Sequence, residues 1–232
     1  MFDSKRHHDV NRDQWDERIY SQEAQLNRYP YDAVVSFIFR HAPAERKRTD
    51  VRILEVGCGA GNNLWFAARE GFQVAGVDGS TYAIRNARSR FAAEGLYGDL
   101  RVGDFRELPY DEDCFDLAIE RAAYACCSFD MARQANLELW RVMKPGACVF
   151  MDFYSQAHTS YRSGRMLQDR MVTDIRGGSV QGVGDLCFYD RGMVDTLAAV
   201  WTVLSLEHMS SRNMETGDVH SEWRMIVKKP LG

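Results

Sequence analysis

Several absences narrow the class of this 232-residue chain before any motif is read. No apolar run approaches the roughly 20 residues that span a bilayer. The stretch from Met1 to Asp16 is charged and lacks an apolar core, so it does not read as a signal peptide. There is no basic excess: 29 Lys and Arg stand against 33 Asp and Glu, a formal charge of −4. The densest basic run, Arg46-Lys47-Arg48, is followed within two residues by Asp50, which argues against tight nucleic-acid binding. None of the six cysteines (58, 114, 126, 127, 148 and 187) has CxxC spacing, so neither a zinc knuckle nor a disulfide framework is expected. They read as free thiols of a reducing cytoplasm. No internal repeat or low-complexity linker appears, and the length suits a single domain.

What is present is an alternation of strand and helix patterns. Residues 13–40 carry Trp15, Ile19, Leu26, Val34, Val35, Phe37 and Ile38 at roughly helical spacing, interrupted at Tyr29-Pro30. From Val51, strands are expected at 51–56, 73–78, 100–104, 115–120 and 147–154. Helices are expected at 63–69, 81–93 and 131–143, the last stopped by Lys144-Pro145-Gly146. Such alternation implies stacked right-handed βαβ units in a doubly wound, largely parallel α/β sheet. The tail reads as a helix at 192–201 and a hairpin of 202–213 with 221–229, which brings an antiparallel member into that sheet. Residues 155–190 fit neither pattern, and a long structureless stretch in a compact domain is usually functional. The chain thus divides into a helical extension (1–45), a ligand-binding core (50–154), a substrate-side insertion (155–190) and a C-terminal helix and hairpin (191–232).

The first strand runs into Glu55-Val56-Gly57-Cys58-Gly59-Ala60-Gly61-Asn62. Gly57, Gly59 and Gly61 permit a tight turn and the close approach of a ligand to backbone. The dinucleotide pattern fails because Asn62 stands where its third glycine belongs, and no Gly-Lys-Ser/Thr follows to make a P-loop. Asp78, with Gly79 and Ser80, closes the second strand, where a carboxylate can accept both protons of a ribose diol. Asp104-Phe105 closes the third, offering a polar group and an aromatic face to an adenine. An acidic group at three successive strand ends suits an adenosine ligand without phosphates, which carboxylates would repel.

These segments, with Phe115-Asp116-Leu117 and Arg141-Val142-Met143-Lys144-Pro145-Gly146, resemble the class I S-adenosylmethionine-dependent methyltransferases from about Val51 to Val149. The resemblance implies a Rossmann-like seven-stranded sheet with its last strand antiparallel. It implies S-adenosylmethionine as cofactor and S-adenosylhomocysteine as product. The Gly57–Gly61 loop would meet the methionine part, Glu55 the amine, Asp78 the ribose, and Asp104 and Phe105 the adenine. Glu120, at the end of the fourth strand, faces the same rim and meets either the cofactor or substrate, or else a salt bridge with Arg121. The lead-in Trp15-Asp16…Tyr20…Asn27-Arg28-Tyr29-Pro30-Tyr31 looks like that of small-molecule methyltransferases of sugar and polysaccharide pathways. By that analogy Tyr20 lies over the cofactor. The apolar residues of 13–40 suit either such a cover or a contact between two copies of the chain.

For the acceptor, Glu120-Arg121-Ala122-Ala123-Tyr124 lacks the Pro-Pro motif that goes with amide or base nitrogens, and no carboxylate set suggests a metal. The candidates follow strands four and five: Tyr124, Tyr154, His158, Tyr161, Arg162 and Arg165. His158 is the expected base by residue type, its ordinary pKa suiting proton removal at neutral pH. Tyr154 and Tyr161 would line the acceptor site, where Arg162 and Arg165 would hold an acidic group. The expectation is methyl transfer to a small, anionic or sugar-like metabolite. A protein or RNA acceptor and a non-catalytic regulatory role are the alternatives.

Overall fold

The computed structural model describes residues 27–231. Within them α1 (Asp32–His41) precedes β1 (Arg52–Val56), α2 (Asn62–Arg69), β2 (Gln73–Asp78), α3 (Thr81–Ala93), β3 (Asp99–Val102) and β4 (Phe115–Arg121). Then come α4 (Phe129–Val142), β5 (Met143–Tyr154), α5 (Thr159–Ser163), β6 (Arg165–Met166), β7 (Met171–Thr173) and β8 (Leu186–Cys187). The chain ends with α6 (Arg191–Ala198), β9 (Thr202–Arg212) and β10 (Val219–Lys228). Trp15, Ile19, Tyr20 and Leu26, on which the lid was expected, lie outside the described residues. The helix that is described begins only after Pro30.

Seven strands form one sheet in the order β3-β2-β1-β4-β5-β10-β9. The first five are parallel, and β10 runs antiparallel to both β5 and β9. The strand order reverses between β1 and β4, and in open α/β sheets ligands bind at the carboxyl ends of the strands flanking such a switch. Side chains of β1 alternate across the sheet. Ile53 packs with Val34, Phe37 and Ile38 of α1 and with Leu64 and Ile84 on one face. Leu54 and Val56 pack with Met131 and Leu139 of α4 and Trp201 on the other. Helix caps follow the sequence: Ser80 Oγ accepts from Ala83 N–H, and Asp190 Oδ1 from Met193 N–H.

Two expectations need correction. The helix stops at Val142, and Pro145-Gly146 sits inside β5 rather than ending α4. The strand tolerates proline because its pairing with β4 shifts register between Phe115 and Leu117, and Gly146, at φ +81°, ties back to Lys229 O. Residues 155–190 are not structureless. They hold α5 and the three-stranded antiparallel sheet β6-β7-β8, which closes a satellite cluster of Val172, Ile175, Val180, Leu186 and Phe188. The basic run is also neutralised locally, since Arg46 pairs with Asp116 and Arg48 with Glu70. All six cysteines are free, and no helix among the described residues is long and apolar enough to cross a membrane.

Candidate active site

A cavity of about 300 Å³ opens at the carboxyl ends of β1, β2 and β4. Its floor is the glycine loop. Gly57, Gly59 and Gly61 have φ of +65°, +50° and +73°, the left-handed region that favours glycine. A Cβ on Gly57 would stand 2.2 Å from that of Ala123, so the loop and the segment after β4 approach each other as bare backbone. Gly57 and Gly59 line the cavity, whereas Gly61 caps α2 beneath it.

Three expected ligand-binding side chains are brought to this cavity. Glu55 is buried; its Oε1 accepts from Asn63 Nδ2 at 2.6 Å, and its Oε2 has no hydrogen-bond partner among the described residues. Burial pushes the Glu55 carboxyl up to about 8, only partly offset by the Asn63 hydrogen bond. Asp78 accepts from Gly59 N–H and from Ser80 N–H, both at 2.8 Å. Phe105 joins the lining, as do Gly79 and Ser80 beside Asp78.

Others are placed elsewhere. Asp104 is outside the lining and grips Arg106, whose Nε lies 3.0 Å from both carboxylate oxygens. Glu120 is fully buried behind the cavity: Oε1 accepts from Tyr124 N–H at 2.9 Å and Oε2 from Asp152 N–H at 3.3 Å. It therefore ties β4 to its following turn and to β5. The expected salt bridge with Arg121 is also not made, because neighbours on a strand point to opposite faces.

The acceptor-side expectations divide sharply. Tyr154 lines the cavity, and burial pushes its hydroxyl up to about 12, so it stays protonated. Tyr124 does not line it. It is a core residue, packed between Phe105 and Phe153, with its hydroxyl buried. His158 is also outside the lining. Ser160 N–H donates to its Nδ1 at 2.9 Å, which leaves the proton on Nε2, 3.0 Å from Ser179 Oγ and 3.2 Å from His220 Nδ1. Burial, with His220 adding to it, lowers His158 to about 4, far from the range of a base at neutral pH. Tyr161 packs on Phe188, and Arg162 and Arg165 are exposed, Arg165 paired with Asp174. What the 155–190 segment contributes to the cavity is apolar, Val183 and Leu186.

Sequence reasoning did not single out Arg121 as a cavity residue. It ends β4, lines the cavity and lies under the ring of Tyr31, 4.5 Å from its centroid. Nearby carboxylates hold its charge firmly in place. The signal was its position at a strand end next to the switch point, which its acidic neighbour Glu120 obscured.

A sheet of this order, with a glycine loop at the end of β1 and an acidic side chain at the end of β2, is the arrangement that the resemblance to class I S-adenosylmethionine-dependent methyltransferases implies. Residues 53–146 match the model described as a methyltransferase domain. Over 130 residues the chain is 31% identical to malonyl-[acyl-carrier protein] O-methyltransferase of Salmonella typhimurium, covering 56% of this chain and 47% of that protein. A methyltransferase structure from Methanosarcina mazei superposes with a TM-score of 0.69 at 20% identity, covering 88% of this chain and all of that one. A Haemonchus contortus phosphoethanolamine N-methyltransferase, bound to phosphomonomethylethanolamine and S-adenosylhomocysteine, gives 0.68 at 18% identity, covering 95% and 60%. The chain spans about half the length of the curated relatives it matches.

The residues present fit S-adenosylmethionine. The buried, unpartnered Glu55 Oε2 matches a cationic amine, and the bare glycine backbone leaves room for a chain to pass. Asp78 and Phe105 line the same cavity, a carboxylate and an aromatic face of the kinds that suit a ribose and an adenine.

Proposed function

We propose that this protein transfers a methyl group from S-adenosylmethionine to a small-molecule acceptor held between Arg121, Tyr154 and the Val183–Leu186 wall. The observation that carries the reading is the continuity of the cavity: one end is glycine loop, Glu55 and Asp78, the other Arg121, Tyr154, Val183 and Leu186. When bound, the cofactor supplies a methyl group on a sulfonium, open to in-line displacement by an acceptor atom. The chain's own residues do the positioning, which can supply much of the rate of such a reaction. Glu55 and Asp78 fix one partner, and Tyr154 donates a hydrogen bond to the other from a hydroxyl that stays protonated. Val183 and Leu186 exclude water from the contact.

The names of the relatives span O-, C- and N-methylation, of malonyl-[acyl-carrier protein], 24-methylenesterol and phosphoethanolamine, so the acceptor has to be argued from the site. Calorimetric titration with S-adenosylhomocysteine, followed by transfer of labelled methyl to a panel of small carboxylates, amines and alcohols, tests the proposal. Saturable binding and labelling of a small molecule is expected. Labelling confined to added protein or RNA would refute it.

A further inference from the structure

Building on the reading that Glu55 receives the cofactor amine, we propose that Asn63 is a positioning residue that passes the charge of Glu55 on to Tyr31, so that an occupied cofactor end secures residues 29–31 against the acceptor end of the cavity. Glu55, Asn63 and Tyr31 all line that cavity. Asn63 stands in the first turn of α2 and is 1% exposed, so its amide is satisfied by protein groups. Its Nδ2 donates to Glu55 Oε1 at 2.6 Å, and its Oδ1 accepts from Tyr31 N–H at 3.0 Å. The neighbouring Asn62 donates through Nδ2 to Tyr29 O at 2.9 Å, so two consecutive asparagines hold the chain on either side of Pro30. The Arg121 guanidinium in turn lies 4.5 Å from the centroid of the Tyr31 ring.

A side-chain amide can carry such a signal because one end donates and the other accepts. An ionised carboxylate only accepts, so beside a charged Glu55 the Asn63 amide has one orientation, Nδ2 to Glu55 and Oδ1 to Tyr31. A protonated Glu55 can donate as well. It then also admits the reversed amide, which turns an NH2 group on Tyr31 N–H and leaves that donor without an acceptor. Burial favours the protonated form; Asp78 of β2 and Glu120 of β4 add to it, while the Asn63 hydrogen bond and Arg121 of β4 oppose it. A cationic amine at the unpartnered Oε2 shifts Glu55 to the ionised form and thereby fixes the amide and Tyr31 with it.

The test is amide hydrogen exchange at Tyr31, resolved by NMR in the full chain labelled at tyrosine nitrogen, at pH 7 with and without saturating S-adenosylhomocysteine. In the natural chain the ligand should slow exchange at Tyr31 by about five- to tenfold, the scale of one hydrogen bond secured. In Asn63→Leu the Tyr31 amide should exchange fast, at one rate with and without ligand. Asn63→Asp keeps an acceptor for Tyr31 N–H and loses the donor to Glu55, so exchange should stay slow in both states. A structural role alone would change these rates without making them depend on the ligand. No slowing in the natural chain when the ligand binds, or slowing that persists in Asn63→Leu, would overturn the role of Asn63. Should Asn63→Leu not fold, Glu55→Gln decides, because ligand-dependent slowing that survives there would overturn the coupling. If Glu55→Gln binds S-adenosylhomocysteine as tightly as the natural chain at pH 8, the amine does not meet Glu55; that reading fails first, and this proposal falls with it.

Discussion

Asp78 Oδ2 accepts a hydrogen bond from the backbone N–H of Gly59 at 2.8 Å, so the carboxylate at the end of β2 also fixes the glycine loop at the end of β1. Its other oxygen takes Ser80 N–H at the entrance to α3. One residue thus shapes the glycine loop and lines the cavity in which a diol would be received. Asp78→Ala should weaken S-adenosylhomocysteine binding by more than tenfold, since it removes the loop tether together with the ribose acceptor. Asp78→Asn should weaken it less, because its amide oxygen can replace only one of the two acceptors. Titration calorimetry on both variants checks this, and unchanged affinity in Asp78→Ala would remove the ribose assignment.

Glu55 makes cofactor binding depend on pH. Its carboxyl sits near 8 in the free protein because it is buried, so it is largely protonated at pH 7. A cationic amine beside Oε2 favours the ionised form, so binding expels a proton. The sign follows: affinity should rise as pH climbs toward 8 and level off above it. In Glu55→Gln the slope should vanish and the affinity at pH 8 should fall about tenfold. Titrations in two buffers of different ionisation enthalpy count the proton released; equal heats would refute the assignment.

Legibility followed the range of the interactions. β2 and α3 fall on the residues expected, because a short apolar run and a helical spacing are local signals. Glu55, Asp78, Phe105 and Tyr154 reach one cavity because each lies at or near a strand end, and the carboxyl ends of parallel strands share one rim. Tyr124 and His158 were misplaced because their surroundings come from afar: Phe105 and Phe153 enclose the first, and Ser179 and His220 partner the second. Arg121 was hidden for the same reason, since its acids arrive from β5 and β10. The extent of α4 was misjudged because Pro145-Gly146 is a stop signal locally, while the bulged pairing of β5 with β4 absorbs it.

Gly57 is a loop position with little tolerance. An alanine there must adopt a left-handed φ and push its methyl into that of Ala123 at 2.2 Å. The conformational cost is about 1–2 kcal/mol and the overlap adds about 1–3 kcal/mol. For a domain of this size each kcal/mol lowers Tm by about 2–4 °C. Gly57→Ala should therefore lower Tm by at least about 4 °C and weaken S-adenosylhomocysteine binding. Gly217→Ala, at φ +78° with nothing within 4 Å of the added Cβ, isolates the backbone term alone. Equal losses in the two variants would show that the Ala123 contact is unimportant.

His158 predicts how the fold responds to acid. Its pKa in the folded protein is lowered to about 4, from an ordinary value of 6.5, by burial and by the facing His220; Asp218 and Glu222 oppose the shift without cancelling it. The unfolded chain therefore binds more protons between those values, and the neutral ring stabilises the fold above pH 6.5. That contribution declines as pH falls toward 4, by on the order of 3 kcal/mol across the window. His158→Asn can still accept from Ser160 N–H but cannot be protonated. It should be less stable at pH 7, through loss of the contacts to Ser179 and His220, yet show a shallower loss of Tm between pH 6.5 and 4. Its methyl-transfer rate at pH 7.5, measured below its own Tm, should stay within about threefold of the natural chain, because the ring does not line the cavity. A drop of 100-fold or more, the scale of a lost general base, would return His158 to the chemistry.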